Sequence, residues 1–87
     1  MRTIHKTVLK LEDSQLVSLP KEAKILKVGE QYSKICIWYE TDTNIEEKED
    51  KTIIVVGTGH SIPQNAKKYL GTVFLNRGQL VFHVYEA

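Results

Sequence analysis

One cysteine and two prolines in 87 residues leave the chain almost without covalent or conformational staples. A lone cysteine excludes an intrachain disulfide framework and a cysteine-based metal cluster. Cys36 lies in an apolar run and reads as a small buried hydrophobe. No apolar stretch approaches the length of a membrane span, and Met1-Arg2-Thr3-Ile4-His5 lacks the apolar region of a secretory signal, so the expectation is a cytoplasmic protein away from membranes. An excess of charge of one sign is also missing. Twelve Lys and Arg against eleven Asp and Glu give +1, which argues against a partner of duplex nucleic acid. The histidines His5, His60 and His83 stand far apart with no paired spacing, so no metal and no cofactor is expected.

What the length does allow is one small domain, residues 1–87, with a single core and no deep cleft between lobes. That disfavours a catalytic machine. Residues 2 to 11 read with a period of two, Thr3, His5, Thr7 and Leu9 pointing one way and Arg2, Ile4, Lys6, Val8 and Lys10 the other, and predict an edge strand, its lysines discouraging pairing with another molecule. Gln15 to Leu19 predicts a short second strand stopped by Pro20. Ala23–Val28 and Ser33–Glu40 predict a hairpin turning at Gly29-Glu30-Gln31-Tyr32. Leu70–Leu75 and Gln79–Glu86 predict another around Asn76-Arg77-Gly78, with Gly78 left-handed. In the last strand Leu80, Phe82 and Val84 face one way and Val81, His83 and Tyr85 the other. Between the hairpins, Thr41 to Lys51 is polar and acidic and predicts a solvated, mobile loop over 41–51; its Asp42-x-Asn44 lacks the glycine and distal glutamate of a calcium loop. The fold class is all-β: a small barrel or compact two-layer sandwich of six to seven antiparallel strands with at most one short helical turn.

The chain is organised around Thr52 to Pro63. Ile53-Ile54-Val55-Val56 is an unbroken β-branched run, the pattern of a central strand covered on both faces. It breaks into Gly57-Thr58-Gly59-His60-Ser61, where two glycines let the main chain approach a ligand and three side chains add donors. Gly57, Thr58, Gly59, His60 and Ser61 are therefore candidate ligand-binding residues, against the plainer reading of a structural turn. Ile62-Pro63 opening Gln64 to Tyr69 predicts one helical turn, whose amino end would favour an anion at the glycines. Trp38 reads either as a core plug or as the floor of a pocket on which a base stacks. His60 reads as a donor to phosphate; a hydrolase using it as general base is the enzymatic alternative.

The segment Val55-Val56-Gly57-Thr58-Gly59-His60-Ser61-Ile62-Pro63, followed by Tyr69-Leu70-Gly71-Thr72 and by Leu80-Val81-Phe82-His83-Val84-Tyr85-Glu86, resembles a family of small phage proteins. The amino half matches more loosely, through Leu19-Pro20, Ala23-Lys24-Ile25-Leu26 and Cys36-x-Trp38. The chain departs from the family's pattern at Ser61, where proline is expected, and in its acidic loop. The resemblance implies an anti-CBASS role: immune evasion by a sponge that binds a cyclic nucleotide signal, such as cyclic GMP-AMP, and withholds it uncleaved. It implies no enzyme. The glycine turn would then contact phosphate or ribose, Thr58 and His60 would donate hydrogen bonds, and Trp38 would stack a base. A phosphodiesterase-type enzyme and a protein-binding accessory module are the alternatives. A homodimer, in which a neighbour finishes a shallow pocket, is a further expectation.

Overall fold

The computed structural model describes residues 1–87. Seven strands form: β1 (Arg2–Val8), β2 (Ser14–Pro20), β3 (Lys24–Gln31), β4 (Lys34–Asp42), β5 (Lys48–Gly57), β6 (Lys68–Leu75) and β7 (Leu80–Glu86). They pair antiparallel in a three-stranded sheet of order β1-β4-β3 and a four-stranded sheet of order β2-β5-β7-β6. The fold is a two-layer sandwich. The edges of β3 and β6 meet without a shared ladder, close enough that a Cβ on Gly71 would lie 3.4 Å from Val28 Cβ. No helix is long and apolar enough to cross a membrane.

Strand alternation builds the core. Ile35, Ile37 and Tyr39 of β4 face Leu19 of β2, Ile53 and Val55 of β5 and Val84 of β7 across the layers. Leu19, Ile37, Ile53 and Val84 are wholly inaccessible, and removing such side chains from water stabilises by about 1.5–3 kcal/mol each. β5 is interior to its sheet, as its β-branched run predicts. Its outward residues Ile54 and Val56 are buried as well. The chain leaving β5 folds back over this face: Ile62 lines the same depression as Val56, and the Lys67 N–H donates to the Glu86 carbonyl.

Four expectations need correction. The acidic stretch 41–51 is mostly strand: β4 runs to Asp42 and β5 begins at Lys48, leaving Thr43 to Glu47 as the connection. Strand β2 supplies a ladder for Glu49, Asp50 and Lys51 opposite Leu19, Ser18 and Val17, and the Lys51 ammonium lies 3.6 Å from Glu49 and 3.5 Å from Glu86. Charge alone does not forbid a strand when a partner's hydrogen bonds are in reach. The first strand ends at Val8 rather than at residue 11, because the Gln15 side chain clamps Lys10 through both its N–H and its carbonyl.

The first hairpin turns at Tyr32-Ser33 instead of Gly29 to Tyr32. Both residues take positive φ, 53° and 64°, the requirement of a two-residue type I′ turn, and Glu30 accepts a hydrogen bond from the Ser33 N–H. Gly29 stays within β3, where its missing side chain makes room for Trp38. Finally, Pro63 to Ala66 closes a single turn, Ala66 N–H to Pro63 carbonyl, without becoming a helix. The glycine turn therefore has no helix dipole beside it.

Candidate functional site

The glycine turn is made by the end of a strand that has run out of partners. Gly57 pairs with Phe82, and the next residues leave the sheet in a β-turn closed by the His60 N–H donating to the Gly57 carbonyl. Gly59 holds φ at +90°, the third position of a type II turn, where a side chain is strained. Gly57 serves differently. A Cβ there would lie 3.3 Å from His60 Nδ1, so its absence lets the imidazole fold over the strand end.

Around that imidazole lie several surface depressions. One of about 290 Å³ is lined by Val56, Gly57, Thr58, Gly59, His60 and Ile62 together with His83 and Tyr85. A smaller one of about 160 Å³ adds Asp13, Ser61 and Pro63. Gly57, Thr58, Gly59 and His60 line the first of these, and Ser61 lines only the second, with Gly57 and His60 common to both. Trp38 does not join them. It belongs to the other sheet, lines neither depression, and on β4 alternates with the core residues Ile37 and Tyr39, so it is neither the pocket's floor nor a plug in the core. The backbone is also less free to cradle an anion than the glycine spacing suggests. The Thr58 N–H is committed to the Val81 carbonyl and the His60 N–H to Gly57, which leaves those of Gly59 and Ser61.

In place of Trp38, β6 and β7 contribute a connected polar row. His83 Nε2 lies 2.8 Å from Thr58 Oγ1, and Nδ1 lies 2.9 Å from Thr72 Oγ1, which meets the Tyr69 hydroxyl at 2.5 Å. Thr58 Oγ1 has one hydrogen and donates it to the Val81 carbonyl at 3.3 Å. With that donation it accepts from His83 Nε2–H, neutral His83 carrying its proton on Nε2 and accepting from Thr72 at Nδ1; the opposite tautomer reverses the row over the same contacts. In the first of these every donor points one way, from Tyr69 through Thr72, His83 and Thr58 to Val81. Both imidazole nitrogens are engaged, which makes His83 a fixed wall of the depression and a rigid anchor for the turn. His60, exposed, has no hydrogen-bond partner on its ring in the structure and is the free donor of the pair.

The side chains of His83, Tyr85 and Thr72 are the ones a linear reading overlooks. Alternation along β7 does place His83 and Tyr85 on one face, but only the pairing of Val56 with His83 and Ile54 with Tyr85 brings that face beside the glycine turn. A wider depression of about 430 Å³ lies away from this site, at the edge of the other sheet between Arg2, Thr3, Ile4 and Glu40. The Arg2 guanidinium there is 2.7 Å from Glu40, each neutralising the other. No three His, Cys, Asp or Glu side chains converge as a metal site would need, and His5 instead stands edge-on to Tyr39.

A family model described as a domain of unknown function (DUF7352) matches residues 1–87. The chain belongs to that family. Comparison with curated proteins and with solved structures found no significant match.

Proposed function

We propose that this protein binds a nucleotide at the glycine turn and holds it without turnover, acting as a phage anti-defence sponge for a cyclic dinucleotide signal such as cyclic GMP-AMP in the host cytoplasm. The observation that carries the reading is the 290 Å³ depression, which joins apolar surface of Val56, Ile62 and Tyr85 to the polar side chains of Thr58, His60 and His83. Tyr85 and Ile62 suit a base, while His60 and the free N–H groups of Gly59 and Ser61 suit phosphate or ribose oxygens. The wall is preorganised by the Tyr69 to Val81 hydrogen-bond row, which lowers the ordering cost of binding. This volume fits about one nucleoside unit. A cyclic dinucleotide has two, related by an approximate twofold, and a homodimer with one turn on each side would enclose both.

A thermal-shift screen against cyclic mono-, di- and trinucleotides and their linear counterparts tests the proposal. A cyclic dinucleotide at a hundredfold over Kd should add about 2.7 kcal/mol, a rise of about 10 °C or more, and return chemically intact on release. No shift across the panel would leave a protein-binding module as the better reading. The enzymatic alternative draws on one observation: Asp13 lines the same small depression as His60, the arrangement of an acid beside a general base. Recovery of a linearised nucleotide would decide for it.

A further inference from the structure

Trp38, displaced from the glycine turn, sits at the centre of a surface with its own chemistry. β4 is the middle strand of its sheet, and in register Lys6 of β1 and Lys27 of β3 lie directly on either side of Trp38. The same outward face carries Lys34 further along β4 and Lys24 on β3, opposite Glu40. All four lysines are exposed, and none is in an ion pair; Lys6 alone has a side-chain partner, the neutral amide of Gln31. The two acids of this face are already neutralised, Glu40 by Arg2 at 2.7 Å and Asp42 by the terminal ammonium at 3.1 Å.

The indole is held low. Its Cζ3 leans over Gly29, 3.4 Å from where a Cβ would stand, and Cys36 beside it is 1% exposed although it faces outward. The half-buried indole thus stands between two cations at strand spacing, with part of its ring open to solvent. Tyr32 at the adjoining hairpin tip is 84% exposed, with the Lys6 ammonium 6.0 Å from its ring.

We propose that this face binds single-stranded nucleic acid, one base stacking on Trp38 while flanking phosphates pair with Lys6 and Lys27. Four exposed lysines without acid partners favour an anion, and the ring between two of them favours one that alternates phosphate with flat bases. A duplex keeps its bases stacked internally and would leave the indole unused. An acidic protein segment would answer the lysines without a flat group for the ring.

Trp38 is the sole tryptophan, so its fluorescence reports the proposed contact directly. Titration with a ten-nucleotide oligothymidylate or oligouridylate at low salt should quench it saturably. The logarithm of affinity should fall against that of salt with a slope of about −2 to −3, from about 0.7 per phosphate over three to four lysines. Lys6→Gln combined with Lys27→Gln, both exposed and without stabilising ion pairs, should weaken binding about tenfold and flatten the slope by about 1.4. Thermal melting confirms that the double variant is folded. Absence of quenching, an unchanged slope in the double variant, equal binding of the matching duplex, or equal quenching by polyglutamate would each overturn the proposal. Quenching by cyclic dinucleotides and not by oligonucleotides would overturn it too, by returning Trp38 to the small-ligand site.

Discussion

Replacing Thr72 by valine tests whether the row from Tyr69 to Val81 holds the glycine turn in place. The substitution keeps the branched shape and the strand preference of the residue and deletes only its hydroxyl. His83 Nδ1 then loses its donor at 2.9 Å, and the Tyr69 hydroxyl loses its acceptor. A fully buried orphan would cost about 1–3 kcal/mol; both Thr72 and His83 are half-buried, so water relieves part of that and about 1 kcal/mol remains. For a domain of this size that is a fall in Tm of about 4–8 °C, read by circular dichroism at neutral pH. Thr58→Val at the other end of the row should couple to it, the double variant departing from additivity by about 0.5 kcal/mol or more. Long-range proton–nitrogen correlation of the imidazoles should find neutral His83 with its proton on Nε2. Unchanged stability in Thr72→Val would refute the row as an anchor of the glycine turn, and a proton on Nδ1 would refute its direction.

Ile37→Ala removes a wholly inaccessible side chain between the layers and should cost about 2–5 kcal/mol in urea unfolding. Thr41→Val should stabilise by about 1 kcal/mol, because Thr41 is buried and its hydroxyl has no hydrogen-bond partner. Tyr32→Asn with Ser33→Gly puts the residues suited to positive φ into the type I′ turn and should raise Tm by several degrees, about 1 kcal/mol. The Asp42 carboxyl is held below its ordinary value of 3.8, first by the Asn44 N–H and then by the terminal ammonium. Its stabilisation is present above that value and is lost as pH falls through the lower folded value. The stability gap between the wild type and Asp42→Asn should therefore be constant at neutral pH and close only below about pH 3.8.

The all-β class, the interior position of Ile53 to Val56, and the left-handed Gly78, with φ of +83°, follow from local pattern, because each depends on residues within one strand or turn. The strands at 48–51 and the absence of a helix after Pro63 do not. Lys48 to Lys51 become strand because β2 lies alongside, and Pro63 to Ala66 stops after one turn because the chain must reach the Glu86 carbonyl through Lys67. Gly29 shows the same limit. Glycine beside Glu-Gln-Tyr signals a turn in sequence, while in the fold it is the seat of an indole from the neighbouring strand.

The division of Trp38 from the glycine turn shows where linear reading stops. Alternation assigns each side chain a face of its own sheet, and it correctly sets Cys36 and Trp38 opposite Ile35, Ile37 and Tyr39. It does not say which sheet the strand joins. β4 lies between β1 and β3, and β5 between β2 and β7, so the two outward faces belong to different layers with the shared core between them. Any group that leaves the core on β4 is thereby carried to the side of the sandwich away from Val56, His83 and Tyr85. His83 reaches the glycine turn by the same rule, since the pairing of β5 with β7 sets it directly across from Val56 on the face that Trp38 cannot reach.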